Sequence, residues 1–175
     1  ESPLPALIKS AELLRAAGAD FIVIPCNTAH YWFEELQAAV KMDFIHIIDN
    51  AAWHIKNAEI DLSGRVMLLA TEATVQTGIY EKSFAKYNIK LQYPPAAAQK
   101  MIADAIDEIK AGKIADNSQL KGINDWLDSL GGEIGGIIGG CTEIPLIFPY
   151  LTGSYKKYDP TELLALSAVK KAVIK

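Results

Sequence analysis

"FIVIPCNTAHYWFEEL", Phe21–Leu36, passes from an unbroken apolar run into a helical pattern, with a thiol at the joint. Residues 21–25 carry no charge and suit a strand covered on both faces. Ala29, Trp32, Phe33, Leu36 and Val40 then recur at the i, i+3, i+4, i+7 spacing of an amphipathic helix. "GGIIGGCTEIPLIF", Gly135–Phe148, repeats the layout: the apolar run ends at Gly139 and Gly140, and Cys141, Thr142 and Glu143 follow. The chain has two cysteines, and each stands at such a joint.

The same alternation extends outward in both directions. Residues 44–48, 65–70, 89–93 and 134–139 are further short apolar runs that read as strands. Met101, Ile102, Ala105, Ile106 and Ile109 have helical spacing, with Gly112 as a stop, and Ile123, Trp126, Leu127 and Leu130 have it again. Residues 1–20 read as an opening amphipathic helix. A last helix starts near Asp159 and Pro160, the first as a cap and the second in the first turn. Strand–helix alternation predicts an α/β fold. The expected form is two similar lobes, each an open, mainly parallel sheet flanked by helices, with the active site between them. The first lobe comprises residues 1–50 and 155–175, the second 51–154.

Composition narrows the function. The chain has 175 residues, half of them hydrophobic, enough for a real core. A net charge of −4 argues against a nucleic-acid surface. No apolar stretch reaches the ~18 residues of a membrane span, and no signal-peptide pattern opens the chain. Two cysteines make no disulfide framework at this size, so the thiols are read as free and the protein as cytoplasmic. The three histidines lack metal-ligand spacing, so no metal is expected. "GGEIGG" precedes its strand and is therefore no dinucleotide fingerprint.

The carboxyl ends of parallel strands are where α/β proteins bind ligands, and the following helix turns its free N–H groups toward the same spot. A thiol placed there is expected to have its thiolate stabilised below the usual pKa of ~8.5. Two such thiols facing each other across a cleft can invert a stereocentre without metal or organic cofactor. One removes a proton from carbon and the other returns one from the opposite side. The thiols should then be too far apart for a disulfide, whose Cα atoms lie ~4.4–6.8 Å apart. Charge collects on the adjoining carboxylate, which needs donors. Asn27, Thr28, Thr71, Thr74 and Thr142 are the candidates, and Glu143 could hold an ammonium or position Cys141. Each residue also has a plainer reading. A cysteine after a strand is often a small buried hydrophobe, a threonine there is often a helix cap, and Glu143 could be a simple helix-start charge. His30 reads as structural, His46 as part of an apolar strand, and His54 as part of a helix. Lys110 and Lys113 could reach a substrate side-chain carboxylate, although a solvated helix end is their plain reading.

Taken together, "PCNTAH" and "GGCTEIPLIF" resemble the aspartate/glutamate racemase family, whose members are cofactor-independent and use two thiols. "CTE" resembles the aspartate racemase branch. "LLATEATVQTGIYEKSF" (68–84) resembles the turn that binds the substrate carboxylate, and "YDPTELLALSAVKKA" (158–172) the C-terminal return helix. The resemblance implies racemisation of an acidic amino acid, with aspartate preferred, by Cys26 and Cys141. It also implies a homodimer and a small-molecule amino-acid substrate. Members of the family normally begin with a strand, a glycine-rich turn and a helical region ahead of the helix that opens this chain. On that basis the first lobe is expected to be incomplete and to lack a basic residue for the side-chain carboxylate. Rival readings are a glutamate or broad-specificity racemase, and a non-catalytic α/β binding module with buried thiols. Related isomerases and decarboxylases are disfavoured by the presence of two thiols.

Overall fold

The computed structural model describes residues 2–58 and 65–173. Helix α1 (Leu4–Ala16) leads into strand β1 (Ile22–Val23), a 3-10 helix (Thr28–Trp32) and α2 (Phe33–Val40). Strand β2 (Phe44–Ile45) pairs in parallel with β1, Ile22 opposite Phe44, and α3 (Ile47–Asn57) follows. A larger sheet holds β3 (Arg65–Leu69), β4 (Leu91–Gln92), β5 (Ile134–Gly139) and β6 (Lys156–Tyr158). Its order is β4-β3-β5-β6, and every pair is parallel. Parallel pairing requires crossovers. These are supplied by α4 (Glu72–Gln76), α5 (Ile79–Ala85), α6 (Ala96–Lys110), α7 (Leu120–Ser129) and α8 (Ile144–Ile147), and α9 (Pro160–Val173) closes the described chain. The expected α/β architecture of parallel sheets flanked by helices is what the chain forms.

Side chains of β3 alternate between two buried faces, which is why its run is continuously apolar. Met67 and Leu69 pack with Ile102 and Ile106 of α6, Ile123 and Leu127 of α7 and Ile144 of α8. Val66 and Leu68 pack on the other face with Ile48 and Ile55 of α3, Tyr80 and Phe84 of α5 and Leu164 of α9. Leu68, Leu69, Ile137 and Ile138 are sealed from solvent, and burying one such side chain is worth about 1.5–3 kcal/mol. The smaller sheet has its own core of Ala11, Ile22, Leu36, Val40 and Phe44. Among the described residues no helix is long and apolar enough to cross a membrane.

Two local expectations change. The strand expected over 44–48 stops at Ile45, and His46 instead starts a helix, its Nδ1 accepting from the Asp49 N–H at 3.2 Å. Ile47 and Ile48 then join Ala51, Ala52 and Ile55 on one buried helical face. A five-residue apolar run does not distinguish these outcomes; the cap does. Residues 156–158, assigned to the first lobe by a boundary at 155, pair with β5 and extend the larger sheet. Lys-Lys-Tyr offers no apolar run to mark a strand. Only α9 reaches back, lying along α3 and pairing Lys171 with Asp43 just before β2, 2.6 Å apart. Its start is capped as expected, the Thr161 N–H donating to Asp159 Oδ1 at 2.8 Å. The two sheets differ in size, with two strands against four among the described residues.

Strands β3 and β5 approach closely at their carboxyl ends. A Cβ on Gly140 would stand 2.6 Å from Leu68 Cδ1 and 2.9 Å from the Ala70 Cβ. Gly140→Ala should therefore lower stability by about 1–3 kcal/mol, the usual cost of overpacking, visible as a lower thermal midpoint. An unchanged midpoint would show that the seam yields freely.

Candidate active site

Cys26 lies just past β1, where the chain leaves the small sheet, and it is solvent-exposed. A buried histidine fixes this turn. The Ile47 N–H donates to His30 Nε2 at 3.2 Å, so Nδ1 carries the ring proton and donates it to the Cys26 carbonyl at 2.9 Å. Burial, helped by the neighbouring His46, pushes the His30 pKa down to about 4, which keeps the ring in this neutral form. His30 thus acts as a structural brace between the Cys26 turn and the start of α3. His46 touches it edge-on, with centroids 4.5 Å apart.

Cys141 is half-buried at the end of β5. Its Sγ–H donates to Glu143 Oε2 at 2.8 Å, and the Thr142 hydroxyl donates to the same oxygen at 3.1 Å. Burial first, and then the bond to Glu143, pushes the thiol up to about 12. The expected stabilisation of a thiolate is therefore reversed at this cysteine. Helix α8 is only four residues long, and an acceptor carboxylate stands beside the sulfur, so the thiol is favoured. Burial pushes Glu143 upward, but the donors Cys141, its own backbone N–H and Thr142 outweigh it and hold the carboxyl below its ordinary value. The Glu143 carboxylate accepts the Cys141 proton in this bond. Lys110, half-exposed and 3.8 Å from Asp107, exerts a weak downward pull on both Cys141 and Glu143.

The turn after β3 joins these two. Thr71 caps α4, its Oγ1 accepting from the Thr74 N–H at 3.2 Å. A chain of hydroxyls runs Thr28–Thr74–Thr71, with spacings of 2.7 and 2.9 Å. Those two bonds use two of the three hydroxyl protons, leaving one for a further acceptor. Asn27 is buried; its Oδ1 accepts from the Tyr80 hydroxyl at 2.7 Å, and its Nδ2 has no partner. The structure thus links Asn27, Thr28, Thr71 and Thr74 in one hydrogen-bonded region. Thr142 and Glu143 form a second cluster around Cys141, and Tyr80, bonded to Asn27, packs near Gly140 ahead of it. Tyr80 was not singled out from the sequence, because its partner is 53 residues away.

Neither thiol is fully buried, in contrast to what a passive binding module would show. A separate cavity of about 840 Å3 opens between α2 and α5, lined by Glu34, His46, Asp49, Lys82 and Lys86 among others. It contains no thiol. Its charges are largely satisfied, Lys82 pairing with Glu34 at 2.6 Å and Lys86 with Asp49 at 2.8 Å.

Residues 1–168 match the Asp/Glu/hydantoin racemase family. The chain is 31% identical to the aspartate racemase of Picrophilus torridus, with a TM-score of 0.83 over 98% of this chain and 70% of that one. It is 28% identical to the broad specificity amino-acid racemase RacX of Bacillus subtilis, over 94% of this chain and 70% of that protein. The glutamate racemase of Aquifex pyrophilus shares the fold at 21% identity, with a TM-score of 0.68 over 96% of this chain and 65% of that one. The chain belongs to the Asp/Glu/hydantoin racemase family and is an amino-acid racemase.

Two outcomes follow from the electrostatics. His30 titrates near 4 when folded and near its ordinary 6.5 when unfolded. The unfolded chain therefore binds the proton more readily, and the contribution of His30 is complete above pH 6.5 and fades as pH falls toward 4. It amounts to about 3 kcal/mol at ~1.4 kcal/mol per pH unit. Thermal midpoints should fall over this range, and the fall should be shallower in His30→Gln; equal slopes would remove the brace from the account. In thiol labelling at pH 8 followed by mass spectrometry, Cys26 should react first and Cys141 slowly. Glu143→Gln should speed Cys141, since it removes the charge that holds the proton. Equal rates in the wild type would contradict this assignment.

Proposed function

We propose that the chain racemises an acidic amino acid, aspartate in preference to glutamate, by a cofactor-independent two-base mechanism on Cys26 and Cys141. The observation that carries this reading is the asymmetric state of the two thiols. Cys26 is open to solvent, whereas Cys141 holds its proton against Glu143. The resting site is thus supplied with one candidate base and one loaded acid.

In the forward direction the Cys26 thiolate takes the Cα proton, the C–H electron pair moves toward the α-carboxylate, and the Cys141 S–H protonates the opposite face. Cys26 ends as a thiol and Cys141 as a thiolate, so the reverse reaction uses the same groups with roles exchanged. The substrate ammonium is suited to Glu143, where a charge-assisted bond would replace the thiol as the carboxylate's partner. That exchange would weaken the hold of Glu143 on the Cys141 proton just as it is needed. The α-carboxylate falls to Asn27 Nδ2, the spare hydroxyl proton of the Thr28–Thr74–Thr71 chain and the backbone N–H of Thr142, donors aimed where charge develops.

Aspartate preference is favoured by the P. torridus relative and by Lys110, a cation whose field already reaches Cys141 and Glu143 and which could meet a second carboxylate. The similarity to the B. subtilis broad specificity enzyme favours a second reading, in which several amino acids are accepted. The proposal includes a cytoplasmic homodimer, for which Leu166, Val169 and Val173 offer exposed apolar surface along one side of α9.

The test is incorporation of solvent deuterium at Cα by the full-length protein, over a panel of D- and L-amino acids. Aspartate of either hand should exchange and racemise fastest. Cys26→Ser and Cys141→Ser should each lower racemisation by at least about 100-fold, the scale of a lost general acid or base. Racemisation surviving in either variant would end the two-thiol reading. Lys110→Ala should raise KM for aspartate more than for alanine; an equal effect on both would favour broad specificity without a side-chain carboxylate site.

A further inference from the structure

Tyr80 occupies the second position of α5, directly after Gly78 turns the chain through a left-handed conformation at φ 64°. Its ring is buried and stacks on Phe84, with centroids 5.7 Å apart. One ring carbon, Cε2, lies 3.4 Å from where a Cβ on Gly140 would stand, so the ring is close to the backbone that leads into Cys141. Its hydroxyl donates to Asn27 Oδ1 at 2.7 Å. A single buried side chain thus bonds the residue after Cys26 and lies close to the residue before Cys141. Burial raises its pKa well above the ordinary phenol value, with the charge of Asp159 adding to the effect. Tyr80 therefore remains a neutral hydrogen-bond donor and is no candidate for carrying protons.

The consequence falls on Asn27. A carboxamide has one accepting and one donating edge, and a half-turn exchanges them. With Oδ1 committed to Tyr80, the donating edge is defined, and its Nδ2 is buried without a partner. Buried donors in folded proteins almost always find an acceptor. Here the donor stands on the residue that follows Cys26.

We propose that Tyr80 is a positioning residue for racemisation: its hydroxyl locks the Asn27 amide so that Nδ2 faces the substrate α-carboxylate. The proposal rests on the two-thiol reading above. Without the lock the amide can rotate and turn Oδ1 toward the carboxylate, setting two acceptors against each other. The carboxylate is bound before the reaction and gains charge during it, so both KM and kcat depend on the amide's orientation.

The experiment is a double-mutant cycle in the full-length protein with Tyr80→Phe and Asn27→Ala. Tyr80→Phe should lower kcat/KM at least tenfold, through a higher KM and a lower kcat together. In the Asn27→Ala background the same change should have no further effect. An equal loss in both backgrounds would make Tyr80 a packing residue and overturn the proposal. A second measurement on the wild-type protein remains decisive if Tyr80→Phe folds poorly. The 15N–1H signals of the Asn27 side-chain amide are followed as L-aspartate is added, or L-glutamate if that is turned over faster. They should shift on binding; signals that stay in place while the amino acid is racemised overturn the proposal even if both thiols prove essential. Racemisation retained by a cysteine variant would instead remove the two-thiol reading, so the two failures are separable.

Discussion

One backbone hydrogen bond aligns the site. The Gly140 N–H donates to the Leu69 carbonyl at 2.8 Å, closing the parallel ladder between β3 and β5. Because the strands are parallel and in register there, their carboxyl ends finish side by side. The next residues on one side are Ala70 and Thr71; on the other side they lead to Cys141. The seam needs glycine at 140, and the sealed Leu68, Leu69, Ile137 and Ile138 around it fix the strand pair. The Cys26 turn comes to this seam from the smaller sheet, held by the Thr28–Thr74 and Asn27–Tyr80 bonds. The core therefore acts on function by limiting where the three turns can stand.

Electrostatics then favours the proton on Cys141. Position at a strand-to-helix joint suggests a stabilised thiolate in both cases, because helix N-termini favour negative charge. At Cys141 a nearer charge prevails. A carboxylate in direct contact with a half-buried sulfur favours the proton far more than a four-residue helix disfavours it. In the proposed reaction the substrate ammonium would compete with the Cys141 thiol for Glu143. His30 and Tyr80 are both buried and held neutral, and each bonds to the turn that follows β1.

Much of this was legible in the sequence for a physical reason. Strands covered on both faces must be apolar throughout, so 65–70 and 134–139 stand out and place Cys141 at a strand end, and β5 spans 134–139. Asp159 and Pro160 mark the start of α9 because cap chemistry is local. What stayed hidden was either ambiguous or non-local. The run 44–48 fits strand and helix alike until His46 is seen to cap. Strand β6 pairs through its backbone while carrying Lys156 and Lys157, so no pattern announces it. The Cys141–Glu143 contact is close in sequence, but its sign depends on burial, which sequence does not display. The Tyr80–Asn27 bond spans the two lobes and exists only once they are packed.

The central claim is that the substrate carbon sits between two thiols whose turns meet at the β3–β5 seam. The most direct measurement is a crystal structure of the full-length protein with L-aspartate. The account predicts Cα between Cys26 Sγ and Cys141 Sγ on opposite faces, the ammonium within hydrogen-bond distance of Glu143 and the α-carboxylate against Asn27 Nδ2. Aspartate bound with only one sulfur at its Cα, or seated instead in the cavity lined by His46, Lys82 and Lys86, would contradict it.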